Sequence, residues 1–357
     1  MNDTLSSFLN RNEALGLNPP HGLDMHITKR GSDWLWAVFA VFGFILLCYI
    51  VMFFIAENKG SRLTRYALAP AFLITFFEFF AFFTYASDLG WTGVQAEFNH
   101  VKVSKSITGE VPGIRQIFYS KYIAWFLSWP CLLFLIELAA STTGENDDIS
   151  ALDMVHSLLI QIVGTLFWVV SLLVGSLIKS TYKWGYYTIG AVAMLVTQGV
   201  ICQRQFFNLK TRGFNALMLC TCMVIVWLYF ICWGLSDGGN RIQPDGEAIF
   251  YGVLDLCVFA IYPCYLLIAV SRDGKLPRLS LTGGFSHHHA TDDVEDAAPE
   301  TKEALHSEIQ KRYCNPRFYP ASIAMSDTES LVRPLSNSFV NTMETQTPLY
   351  FSVPYQN

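Results

Sequence analysis

Seven apolar runs of membrane-spanning length, near residues 34–55, 66–87, 117–140, 154–178, 184–203, 214–235 and 248–270, alternate with polar stretches along the chain. A hydrocarbon core of roughly 30 Å needs about 20 helical residues. Each run therefore predicts one crossing, and together they predict an all-α, seven-transmembrane-helix bundle. The fourth and fifth runs are parted only by Lys179 to Lys183, which makes those two helices antiparallel neighbours. The longest connection, residues 88–116, carries Val101 and Val103 in alternation with Lys102 and Ser104, then Gly109, Pro112 and Gly113. That pattern predicts a short hairpin over the mouth of the bundle. The chain thus divides into an N-terminal segment (1–32), a helical membrane domain (33–270) and a tail (271–357).

Composition agrees with the pattern. The 357 residues are 52% hydrophobic and 15% charged, against about 25% charged in an ordinary soluble domain. A net charge of −5 without a basic stripe argues against a nucleic-acid partner. Of the nine cysteines, Cys48, Cys131, Cys220, Cys222, Cys232, Cys257 and Cys264 lie in apolar runs, where a thiol packs as a small hydrophobe. The first 32 residues lack the charged, apolar and small-residue succession of a cleavable signal. The first helix is therefore expected to act as an uncleaved insertion signal, and Asn2 opens a weak glycosylation sequon. Positive charges divide nine against nine between the two sides, so the positive-inside rule does not orient the bundle.

The tail begins basic, passes through His287, His288 and His289 and the acidic stretch Asp292 to Asp296, and turns mixed in charge and richer in aromatics from Leu305. Low hydrophobicity predicts disorder there. Three adjacent histidines without other ligands of fixed geometry do not make a metal site.

The chemistry is carried by polar groups inside the spans. Asp255 is the one ionisable carboxyl group of residues 248–270, with Phe259 at i+4 and Tyr251 and Tyr262 about a turn to either side. An acid at membrane depth needs a partner or an inward-facing role; the candidates are an ion pair with Lys121 or hydrogen bonds from Tyr122 or Tyr229. Glu78 is ringed by Phe76, Phe77, Phe79 and Phe80. Unpaired, it is expected to be neutral, with a structural hydrogen bond and a sensor role both open. Glu137 and His156 lie near the same ends of helices three and four and are expected to bond to each other or reach the interface. The phenylalanines of helix two fall on every face, so some must meet lipid or another helix. There is no nucleophile–base arrangement, metal cluster or phosphate loop; an enzyme is not expected.

The strings around Lys121, Trp125 and Pro130 in helix three, Tyr229 and Trp233 in helix six and Asp255 in helix seven resemble the microbial rhodopsin family over about residues 33–270. The resemblance implies a retinal pocket in which Lys121, Tyr122, Trp125, Pro130, Tyr229, Trp233 and Asp255 are vestiges. It puts Phe259 at the retinal-lysine position, Ala124 at the proton-acceptor position and Leu135 at the proton-donor position. A Schiff base requires an amine, and a proton relay requires titratable groups; phenyl, methyl and isobutyl side chains supply neither. That pattern of loss resembles the fungal opsin-related proteins, and among them the heat-shock members. This resemblance implies a stress-induced plasma-membrane protein without cofactor, its N-terminus outside and its tail cytoplasmic, which down-regulates the P-type proton-pumping ATPase of that membrane by interaction. The alternative is a small-molecule or lipid sensor or carrier using a cavity bounded by Trp125, Tyr229, Trp233, Asp255 and Phe259, against which the bulk of Phe259 speaks. Monomer and homo-oligomer both remain open.

Overall fold

The computed structural model describes residues 14–59, 62–98, 113–143, 148–275 and 278–280. Asn2, the alternating segment 101–106 and the histidine and acidic runs of the tail lie outside the described residues. Seven helices long and apolar enough to cross a membrane make up the fold. They are α1 (Lys29–Lys59), α2 (Arg62–Ala86), α3 (Ser120–Thr143), α4 (Ala151–Leu177), α5 (Lys183–Asn208), α6 (Gly213–Gly238) and α7 (Pro244–Asp273).

Local chemistry explains where several of them start and bend. Ser150 caps α4 by accepting a hydrogen bond from the Asp153 backbone N–H, and Pro244 opens α7, where its missing N–H costs nothing. Helix α3 begins later than its apolar run because Ile114–Phe118 is drawn into a strand, β2. It pairs antiparallel with β1 (Trp91–Gln95), Trp91 opposite Phe118. This hairpin marks one face of the bundle, called here the hairpin face. The Asp24 carboxylate fastens it by accepting from the Gly113 and Ile114 N–H groups at 2.6 and 3.1 Å. On the opposite face, β3 (Asp148–Ser150) and β4 (Arg278–Ser280) pair in parallel.

Three helices contain π-helical turns: Gln203–Asn208 in α5, Gly234–Gly238 in α6 and Leu256–Ile261 in α7. Such turns add a residue locally and redirect the side chains around them. Those in α6 and α7 hold Asp237 and Phe259.

Aromatic rings pack α1 on α2, with Phe39 stacked on Phe79 at 4.4 Å and Phe42 on Phe82 at 5.3 Å. Phe82 is buried, whereas Phe76, Phe80 and Phe83 are exposed, so helix two does present rings both inward and outward. In lipid these outward rings lie in a solvent as apolar as themselves.

Candidate functional site

Asp255 sits in the interior at the last α-helical residue before the π turn of α7. Its Oδ1 accepts from Trp125 Nε1 at 3.0 Å and from the Tyr229 hydroxyl at 2.6 Å. The two donors come from α3 and α6 and meet edge-on, ring centroids 5.0 Å apart at 87°. Of the expected partners, Tyr229 is used, while Lys121 and Tyr122 are not. Lys121 Nζ instead bonds Asp237 Oδ2 at 3.1 Å and Glu247, and Tyr122 donates to the same Asp237 oxygen at 2.6 Å. The reason is geometric. Glu247 precedes Asp255 by eight residues, about 12 Å along a helix, and Lys121, in the first turn of α3, lies at the Glu247 level.

At that level, beneath the hairpin, four charged side chains form a closed cluster. Arg115 of β2 donates to Glu247 Oε2 at 2.6 Å, to Asn240 Oδ1 at 2.8 Å and to the Ile242 carbonyl at 2.7 Å. Its Nε lies 4.0 Å from Asp237 Oδ1. Lys121 completes the square and sits over the rings of Tyr122 and Tyr251, at 5.0 and 4.6 Å from their centroids, a favourable cation–π position. Two cations face two anions, all four buried. Arg115, Asp237 and Glu247 carry little mark in the sequence, because each lies near the end of an apolar run, where charges usually face the interface. The signal available was their sign: two acids at the adjoining ends of helices six and seven, opposite a base at the start of helix three.

Phe259 and Trp233 belong to a second group, a series of packed rings. Phe259 is fully buried and meets Trp129 edge-on at 5.3 Å. The rings continue from Trp129 to Trp168 at 5.7 Å, to Phe230 at 5.5 Å, to Tyr187 at 5.6 Å and to Trp233 at 5.2 Å. Trp233 Nε1 donates to the Leu172 carbonyl at 3.0 Å, so this tryptophan belongs to the α4–α5 side of the bundle and not to Asp255. Ala124 and Leu135 are buried apolar residues of α3, and Pro130 follows Trp129 inside the same helix.

These residues do not fit covalently held retinal. Phe259, which the resemblance puts at the retinal-lysine position, is a phenyl ring packed against Trp129, and the cavity beside Trp129 and Trp168, reaching toward Met194 and Cys222, has about 30 Å³. That is room for little more than water.

Toward the opposite face, Glu137 does not bond His156. It pairs with Arg204, whose Nε and Nη2 lie 2.8 and 2.7 Å from Oε1, and accepts from Gln205 at 3.4 Å. Arg204 reaches it from the π turn that prolongs α5, an addition the apolar run did not announce. His156 points outward on α4. Glu78 is buried in α2, and its Oε1 has no hydrogen-bond partner among the described residues.

The profile of the bacteriorhodopsin-like protein family matches residues 32–273. The chain is 99% identical over 305 residues to the 30 kDa heat shock protein of Saccharomyces cerevisiae, covering 85% of this chain and 92% of that one. It is 35% identical over 273 residues to the opsin-like protein carO of Fusarium fujikuroi, covering 73% and 81%. Among solved structures, the light-driven proton pump LR (Mac) of Leptosphaeria maculans superposes with a TM-score of 0.57 at 24% identity, covering 69% of this chain and 96% of that one. That likeness speaks for the fold. The chain is a multi-pass membrane protein belonging to the bacteriorhodopsin-like family.

Proposed function

We propose that this is a non-photoactive, stress-induced protein of the plasma membrane that lowers the activity of the P-type proton-pumping ATPase beside it, by interaction and not by catalysis. The observation that carries the non-photoactive part is Phe259, a buried ring packed on Trp129 where an opsin of this family needs an amine. The stress and ATPase parts rest on the resemblance to heat-shock members of the family, among them the 99%-identical yeast protein named for heat shock. In this reading the N-terminus and the hairpin face outward and the tail is cytoplasmic.

Packing also speaks against the alternative of a ligand carrier. Trp125 and Tyr229 are tied to Asp255, Trp233 is tied to Leu172, and Phe259 is buried against Trp129. Proton efflux from heat-stressed cells with and without the gene, combined with cross-linking to the ATPase, tests the proposal. Higher efflux in the deletion strain and a cross-linked ATPase species are expected; equal efflux in the two strains overturns it.

A further inference from the structure

The outer cluster and the Glu137–Arg204 pair balance their charges, but the acids at mid-membrane do not. Glu78 and Asp255 lie within each other's electrostatic reach, on α2 and α7. Asp255 is the charged group that acts on Glu78 among the described residues. Asp255 in turn faces Tyr229 and Trp125, with Lys121 acting from a distance, and Lys121 is committed to Asp237 and Glu247. Tyr229 also adjoins Cys222, a neutral thiol in this apolar setting.

A second observation points into the same space. Ser128 of α3 is fully buried, its hydroxyl has no properly aligned hydrogen-bond partner among the described residues, and it lies against the Glu78 carboxyl. An unpartnered carboxyl oxygen and an unpartnered hydroxyl therefore face each other beside a second carboxyl group. Two ionised acids so placed in hydrocarbon, with no uncommitted cation beside them among the described residues, would carry the full desolvation cost of both charges together with their mutual repulsion.

We infer that Glu78, Asp255 and Ser128 form a one-proton binding site at the centre of the membrane domain, with the proton resident on Glu78. The asymmetry of donors decides the holder. Asp255 Oδ1 already accepts from Trp125 and Tyr229, which suits the anion, because a carboxylate only accepts. Glu78 receives no such pair of donors. As the neutral acid it becomes a donor itself, and the Ser128 oxygen is the acceptor at hand. The proton thereby joins α2 and α3 through one polar contact, within the field of Asp255 on α7. This inference does not depend on which partner the protein regulates.

Infrared spectroscopy of the full-length protein in lipid nanodiscs at pH 7 tests it. A carbonyl-stretch band of a buried protonated carboxyl group is expected, shifted by ¹³C-carboxyl labelling of glutamate, unaffected by labelling of aspartate, and absent in Glu78→Gln. Because Asp255 sets the field at that carbonyl, Asp255→Asn should preserve the band but shift its frequency. The labelling arm needs no variant, so a poorly folding Glu78→Gln does not blunt the test. Absence of the band in the wild-type protein, a band that follows the aspartate label, or a frequency unmoved by Asp255→Asn would each overturn the inference.

Discussion

The hairpin end and the centre of this bundle handle buried charge in opposite ways. Under the hairpin, Arg115 and Lys121 face Asp237 and Glu247, and Asn240, Tyr122 and the Ile242 carbonyl take up further hydrogen bonds. At the centre, Asp255 is served by two neutral donors and Glu78 by none that is properly aligned. The first arrangement is electrically closed and ties β2, α3, α6 and α7 together. The second is left open, with a buried phenyl ring and no amine at Phe259. A family scaffold that moves protons or holds a dye needs connected titratable groups along its interior. Here neither the closed cluster nor the Glu137–Arg204 pair shares a hydrogen bond with Asp255 among the described residues.

The sharpest way to break the comparison is to remove one acid from the closed cluster. Glu247→Ala leaves Arg115 and Lys121 facing Asp237 alone, and an uncompensated buried charge costs about 3–5 kcal/mol. Thermal unfolding in detergent should show that loss, and a change below about 1 kcal/mol would mean the cluster is not a structural tie. At the centre, Tyr229→Phe removes one of two donors to Asp255 while keeping the ring. A hydrogen bond to a charged group contributes about 1.5–3 kcal/mol, so the same measurement should register a smaller fall.

A pH scan adds a third, weaker effect at the loop that carries the hairpin. Burial pushes the Asp88 carboxyl above its ordinary range, with the hydrogen bond from Gln116 and the charge of His26 partly offsetting it. The folded protein thus favours the neutral acid, and the associated stability is present at low pH and fades as pH rises through the raised value. Asp88→Asn keeps the Gln116 contact and should remove that part of the slope; an unchanged slope would assign it to another group. Smallest of all, Glu57→Gln breaks the exposed pair with Arg65, 3.2 Å long with side chains 57% and 34% exposed. Pairs of this kind are worth about 0–1 kcal/mol, and unfolding should hardly move.

Much of the fold was legible in the chain because a membrane span announces itself by length and polarity alone. The seven runs anticipated α1 to α7, missing mainly the polar ends: the π extension Gln203–Asn208 and the claim of β2 on residues 114–118. The centre was partly legible, since Asp255 is alone in its run and Tyr229 was among its expected partners. Lys121, one of the three candidate partners, bonds Asp237 and Glu247 instead, because spacing gives which residues share a face, not how far a long side chain slants along the axis. Arg115, Asp237 and Glu247 went unremarked for a related reason. Their clustering arises from two connections, α2–α3 and α6–α7, folding over one end, which periodicity within a single helix does not contain. Trp129 and Trp168, which occupy the space beside Phe259, were equally hidden, because an aromatic in an apolar run carries no mark of which interior space it fills.

The claim on which the account turns is that the interior no longer conducts or transports protons. Purified protein reconstituted in liposomes, with retinal supplied, an imposed pH gradient and illumination alternating with darkness, tests it directly. Proton flux indistinguishable from that of protein-free liposomes is predicted in light and dark alike. A protein-dependent flux, and above all one that light switches on, would contradict it.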